Sequence, residues 1–533
     1  MAELVVSGTD TVKLIRPQAH IARAPAAITA FVGRTLKGPL HQPVSIRSFD
    51  DYQRIFGGLW QPSTLSYAVE QYFDSGGREC VVVRAANGAR APTLRLPAGT
   101  GALTLIGVAP GTREFLRASV DYDGIPSEHT DRFNLVLQRV RAPGSELIEE
   151  QEIFRRVSIA RDADRNLQAA LAQSRLARVH GALPAVRPEP SGGCAPSAVV
   201  GYAHSRGDGD DGAELTDYDI IGDASGGTGL FALCAAEAFN FICIPPLSRE
   251  LDVGLPALLV ALRLCRERQA MLLLDPPSQW RDAPAALAGV RSSPFFSEDA
   301  LMFYPRILAF DRLRGREEEF GSAASAAGLI AHATGSCPVW SAAADEELAL
   351  RAGLRAAVCV NDLDRVLLAR EGVNVLQPSR GGLRPRRGLR TLLPERGARD
   401  DWRYVSARRL ALFLMRSIER GTRWALFEQP GAPLWTRVRE QVMDFFAALD
   451  EEGAFVGGEP EENYFVICDQ RLNDPAQAQS QAPAAGLQLL FGFAVSKPGD
   501  FQACLVKHRP TGSSVRPVSV NQYALPRLLA VPA

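Results

Sequence analysis

Four glycine- or charge-rich stretches hold the residues of this 533-residue chain that could do chemistry. Gly222-Asp223-Ala224-Ser225-Gly226-Gly227 offers a serine close to an aspartate. A nucleophilic serine needs a base within hydrogen-bond reach and an acid to orient that base. The stretch differs by one insertion from the chymotrypsin-like form, and it is not a G-x-S-x-G elbow. The seven histidines lie in no recognisable context, His332 in IAHATG being the one that tempts. A glycine turn is the favoured reading. Gly226-Gly227-Thr228-Gly229, ahead of an apolar run, could cradle a phosphate. It lacks the lysine of a P-loop and the spacing of a dinucleotide fingerprint. Asp208, Asp210, Asp211 and Glu214 could bind calcium, but Gly212 and Ala213 stand where an EF-hand places a ligand and its invariant glycine. Arg380, Arg384, Arg386, Arg387 and Arg390, in RGGLRPRRGLR, could meet nucleic acid, yet no aromatic residues are interleaved for base stacking. Acidic clusters at Glu317–Glu319, Asp345–Glu347, Asp450–Glu452 and Glu459–Glu462 could instead meet this basic loop on a second copy of the chain. A solvated loop is the plainer alternative.

The elements that would position these residues follow from composition and period. At this length several domains are expected, each able to bury its own core. Apolar residues make up 46% and charged residues 22%, and the formal net charge is −1. No global field would steer nucleic acid or a membrane surface. Nine cysteines are scattered without a CxxC pair, which fits buried thiols in a reduced compartment. The N-terminus lacks the apolar core of a signal peptide, and no run approaches membrane-spanning length. Assembly in the cytoplasm is therefore expected.

Along the chain, residues 1–24 read as an extended arm. A strand within 25–36 ends at Gly33, and Ser48 caps a helix Phe49–Phe56 with Asp51 at the third position of a capping box. A helix over Leu65–Phe73 and a buried strand Cys80–Arg84 complete a pattern that implies an α/β sheet. Residues 91–214 change to short β-prone pieces, read as an inserted antiparallel domain with Ser205–Gly212 as an exposed polar loop. From about 215 the α/β pattern resumes, with strands at Phe239–Ile244, Ala270–Asp275 and Leu301–Tyr304 and a helix at Pro256–Arg266. The most strongly patterned unit is Trp402–Asp469. Helices at Ser406–Arg420 and Leu434–Leu449 carry apolar stripes. Thr422–Glu428 reads as a short strand between them, and Tyr464–Cys468 as another after them. On the first helix, Arg408, Arg409 and Arg416 point away from the stripe and are assigned to contacts with other molecules. Residues 509–533 read as a second arm, with VRPVSV a strand candidate.

Two separated stretches carry a family resemblance. RYVSARRLALFLMRSIERGTRWALFE, then LW, GAFVGG, YFVICD and KPGDF, resembles the C-terminal domain of contractile tail sheath proteins. ITAFVGRTLKGPLHQPVSIRSFDDYQRIFGG, followed by AVEQYFDSGGRECVVVR, resembles their N-terminal part. The middle departs from the family, with GSAASAAGLIAHATG and VWSAAADEELAL where Pro-rich and Ala-Pro-Asn segments are usual. The resemblance implies a mixed α/β and α+β multidomain chain. Residues 1–24 would be an N-terminal arm, 25–90 and 215–390 a subtilisin-like α/β domain, 91–214 an inserted β-rich domain, 391–508 a C-terminal α+β polymerisation domain and 509–533 a C-terminal arm. It implies a structural subunit without catalytic, cofactor or metal residues, partnered by its own copies, an inner tube, a baseplate and a tail terminator. Neither nucleic-acid binding nor membrane insertion is implied. Arg380, Arg384, Arg386, Arg387, Arg408, Arg409, Arg416, Glu459, Glu461 and Glu462 are the expected inter-subunit contacts. A serine hydrolase using the subtilisin-like region, or a non-contracting sheath-like cap, are the alternatives.

Overall fold

The computed structural model describes residues 20–192, 201–341, 349–350, 353–379, 382–385, 388–395, 401–473 and 486–518, with the backbone of 2–5 and 11–14. Its centre is an eight-stranded sheet in the order Gly382–Pro385, Val373–Ser379, Ala300–Tyr304, Met271–Leu274, Phe241–Cys243, Thr29–Gly33, Cys80–Arg84, Pro43–Ile46. The inner six strands are parallel and each edge strand is antiparallel to its neighbour. Parallel strands are covered on both faces, so they are written as continuous apolar runs such as CVVV and MLLL. Alternation sorts these runs into two cores. Phe31, Val82, Phe241, Leu273 and Phe303 face one; Val32, Val83, Ile242, Leu272 and Met302 face the other.

Local signals set the helix ends near this sheet. Ser48 Oγ accepts from the Asp51 amide at 3.1 Å, and Gly57 closes the helix at φ 93°. The Asp51 carboxylate accepts from the Arg47 amide rather than from Ser48, so the expected capping box is displaced by one residue. The stretch Ala323–Ser336 is a buried helix that the sequence reading left unassigned. Nearly all its residues are small, so it shows no amphipathic period. Smallness lets it approach closely: a Cβ on Gly328 would lie 2.2 Å from the Tyr72 carbonyl.

Between Cys80–Arg84 and Phe241–Cys243 the chain builds two antiparallel sheets. One has four strands, Ile148–Ser158, Arg132–Val140, Phe115–Asp121 and Ala203–His204; the other has three, Ala177–Val179, Gly101–Gly107 and Thr93–Ala98. They share a separate core that includes Leu96, Leu103, Val120, Phe133 and Leu167. The loop Ser205–Gly212 is stitched down rather than free. Asp208 accepts from the amide and hydroxyl of Thr93 at 2.7 and 2.6 Å, and Asp211 does the same for Thr112 at 2.8 and 2.7 Å.

The C-terminal unit is a four-stranded antiparallel sheet, Tyr464–Ile467, Leu487–Ala494, Phe501–Arg509 and Gly512–Val518, covered by helices Val405–Gly421 and Ala432–Glu451. Phe446 stacks on Tyr464 at 5.0 Å and meets Phe491 at 5.9 Å, joining helix to sheet. Thr422–Glu428 departs from expectation. Arg423–Phe427 is a 3-10 turn, because the chain reverses between two helices and the strand it touches, Phe501–Arg509, is already paired on both sides.

Candidate subunit-linking site

The helix Val405–Gly421, here called the seam helix, joins the two halves of the molecule. Its residues from Leu410 to Glu419 are all buried, so its polar side also faces protein. That side lies along the N-terminal ends of the parallel strands and bonds there. Arg408 donates through Nε and Nη2 to Asp299 Oδ1 at 2.8 and 2.7 Å. Asp299 is 1% exposed and precedes Ala300–Tyr304. Burial outweighs Arg408 and holds the Asp299 carboxyl above its ordinary range. Arg409 reaches the Ala26 carbonyl at 3.0 Å and Thr334 Oγ1 at 2.7 Å, with burial pushing its guanidinium down to about 10. Arg416 donates to the Arg268 carbonyl, and its pKa also falls to about 10 through burial.

All three arginines bond within their own chain rather than standing free on the helix surface. A basic residue off an apolar stripe is normally solvated, but here a second layer covers it and supplies carbonyls and one carboxylate.

Two described segments, 21–24 and Gly512–Val518, lean on the same helix. Ile21 packs on Gly421, where a Cβ would come within 2.8 Å. The Ala24 amide donates to Ser417 Oγ at 3.0 Å, and Arg23 pairs with Glu452 after the second helix. Before this segment, Ala2–Val5 and Thr11–Leu14 pair with each other as an antiparallel hairpin, not as one extended strand. At the other end Gly512–Val518 pairs with Phe501–Arg509 and packs against the seam helix. The chain thus stays on its own sheet to Val518, nine residues past the boundary expected at 509. Residues 519 and 520 of the VRPVSV candidate lie outside the described residues. Among the described residues, Tyr464–Ile467 and Gly512–Val518 form the sheet's edges, each with one side unpaired. Such edges offer backbone donors and acceptors to an incoming strand.

The remaining candidates are dispersed. Gly382–Pro385, within the basic stretch expected as a loop, is an edge strand, and Arg384 lies on it opposite Gln377. Arg380, Arg386 and Arg387 lie outside the described residues, as does Asp345–Glu347. Arg390 donates to the Ala369 carbonyl and stacks over Tyr404. Glu459, Glu461 and Glu462 are exposed on the short helical turn before Tyr464. Glu317–Glu319 is half of a hairpin with Ile307–Asp311 and pairs with its own chain's Arg355, Arg249, Arg314, Arg316 and Arg306. Ser225 donates to Asp223, and His41, which reaches this turn, accepts instead from the Gly229 amide at 3.1 Å. No serine–histidine pair forms there. The glycines of 226–229 close that turn on itself, with the Gly226 amide on Asp223. Among the described residues no group of three or more His, Cys, Asp or Glu could hold a metal ion, and no helix is long and apolar enough to cross a membrane.

No family model and no curated protein matches the sequence. Solved structures do match, along nearly the whole chain. The sheath tail protein from Listeria innocua superposes with a TM-score of 0.57 at 11% identity, covering 93% of this chain and 96% of that one. The chain has the contractile tail sheath fold. A chain of the anti-feeding prophage baseplate in its contracted state gives 0.53 at 19% identity, with 93% and 97% covered. The sheath complex of the PVC extracellular contractile injection system, also contracted, gives 0.52 at 16%, with 93% and 96% covered. Set in this sheath fold, the seam helix lies in the C-terminal unit, between the two ends of the chain. His508 is a residue the sequence reading passed over. It is buried at the end of Phe501–Arg509, bonded to Thr422 and to Ser513 on the last strand. The alternation of ACLVKH could have found it, since His508 falls on the same face as Cys504 and Val506.

Proposed function

We propose that the chain is the structural subunit of a contractile tail sheath, polymerising around an inner tube and contracting to drive that tube through a target envelope. One observation carries this reading: the likeness to sheath subunits extends over 93% of this chain and 96% of theirs. An enzyme that had borrowed one domain would match over that domain alone. The six parallel strands with cores on both faces support reading 25–90 and 215–390 as the subtilisin-like body, with 91–214 inserted into it. Copies would join through their termini, each open sheet edge of the C-terminal unit accepting a strand from a neighbour. Contraction then runs from a metastable extended array to a compact one through added contacts between copies. Arg380, Arg384, Arg386 and Arg387 on one copy face Glu459, Glu461 and Glu462 on the next in this scheme. The inner tube, baseplate and tail terminator are its other partners, and assembly takes place in the cytoplasm as part of a virion tail or injection particle.

Negative-stain microscopy of the purified protein tests the reading, with hollow cylinders expected. A serine-reactive probe separates the hydrolase alternative. Labelling at Ser225 would favour hydrolysis; its absence, together with cylinders, supports the sheath.

A further inference from the structure

We propose that His508 is an acid-sensitive latch that holds the last strand, Gly512–Val518, on its own subunit until the imidazole takes a second proton. In Phe501–Arg509, Cys504 and Val506 join the core beneath the helices, whereas Ala503 and Leu505 join a small core on the opposite face. His508 continues the first row and is 0% exposed. A core position of this kind would ordinarily be apolar, so its polar atoms must be bonded.

Both ring nitrogens are. Nε2 lies 2.8 Å from Thr422 Oγ1, and Nδ1 lies 2.7 Å from Ser513 Oγ. Thr422 Oγ1 donates its single proton to the Ile418 carbonyl at 2.7 Å. It can therefore only accept from His508, which places the ring proton on Nε2. Nδ1 is left bare and accepts from the Ser513 hydroxyl. The relay Ser513–His508–Thr422–Ile418 thus ties the last strand to the end of the seam helix and requires a neutral imidazole.

A second proton has no counter-ion waiting. The charged groups on the packed elements are Glu419 from the seam helix and Arg423 from the 3-10 turn, and these two hold each other at 2.8 and 2.9 Å. Lys507 and Arg509 flank His508 on its own strand, and Arg516 pairs across from Leu505; by alternation all three lie on the other face. Burial, followed by the opposing effects of Glu419 and Arg423, leaves His508 below its ordinary pKa. The unfolded or detached strand takes up the proton first. The latch is therefore intact above pH about 6.5 and is lost as pH falls from there through the depressed value.

Beyond its ladder with Phe501–Arg509, the strand Gly512–Val518 buries only Val515, and Pro517 brings no amide to that ladder. Acid should then free this edge while the main sheet stays closed. The latch is a property of one subunit; its effect on how copies link rests on the sheath reading, because the freed strand precedes the C-terminal tail.

Hydrogen exchange on the unassembled full-length chain tests it, comparing pH 7.5 with pH 5.0 after correction for intrinsic rates. Opening of 512–518 should rise by up to about 30-fold, the limit set by 1.5 pH units below the ordinary histidine value. Cys80–Arg84 should not follow, and His508→Gln should abolish the rise. An equal rise in His508→Gln, or no rise in the natural chain, overturns the latch. Should His508→Gln fail to fold, the imidazole carbon resonances of the natural chain decide: titration below 6.5 in the folded chain supports it, and titration at or above 6.5 overturns it. These readouts need no polymer, so they fail separately from the sheath reading.

Discussion

Removing the Asp299 carboxylate should cost far more than removing its partner, and the asymmetry can be worked from the geometry. Asp299 is 1% exposed and takes two bonds from Arg408, whose side chain is 10% exposed. In Asp299→Ala the guanidinium stays buried with its stacking on Trp402, 5.1 Å away, and no carboxylate. An uncompensated buried charge costs about 3–5 kcal/mol. In Arg408→Met the carboxylate keeps Arg266 at 3.4 Å, a side chain 55% exposed to water, so the loss should be about 1–3 kcal/mol. The double variant should be no worse than Asp299→Ala, since the penalty of the stranded cation disappears. The intact pair is not expected to be a large net source of stability, because burial already opposes the Asp299 charge. Its role is to fix where the seam helix sits. Urea unfolding of the three variants, read as apparent midpoint and slope, supplies the comparison. Additive single costs, or an Asp299→Ala loss below about 1 kcal/mol, would show that Arg408 is not left as a stranded buried cation.

Gly421→Ala should push the N-terminal segment off the seam helix, because the new Cβ comes within 2.8 Å of Ile21. Overpacking of about 1–3 kcal/mol outweighs a helix-propensity gain of up to about 1 kcal/mol. Faster limited proteolysis near residue 20 is the readout, and unchanged cleavage would count against the contact. Phe446→Ala should cost about 3–5 kcal/mol, since its ring joins Tyr464, Phe455 and Phe491. A Tm left unchanged would show that the C-terminal core does not depend on this ring. Reversing Arg386 and Arg387 to Glu should impair cylinder formation or contraction while the monomer's circular dichroism and Tm stay the same; normal contractile cylinders would sink that assignment.

Inner strands of the main sheet were legible where two-sided burial writes them as unbroken apolar runs, and Cys80–Arg84 falls where the pattern put it, whereas the edge strands Pro43–Ile46 and Gly382–Pro385 carry no such run. The two long C-terminal helices were legible from their stripes. What was less legible shares one cause, namely tertiary contact that no local pattern records. Arg408, Arg409 and Arg416 were read as contacts with other molecules, because a period reveals which side is apolar, not whether the same chain covers the other side. Ala323–Ser336 has no polar face to set against an apolar one. Thr422–Glu428 has β-prone residues, but the strand beside it is already paired on both sides. Gly512–Val518 has weak alternation, and its pairing depends on a long strand beside it and on a histidine whose neighbours come from distant parts of the chain.

Cryo-electron microscopy of the assembled protein tests most directly the claim that copies are knit through their terminal strands. The expected result is a helical cylinder in which a strand from one subunit lies along the open edge of Tyr464–Ile467 or Gly512–Val518 of the next. Dispersed monomers, or a cylinder whose subunits touch only through side chains with both sheet edges bare, would contradict it.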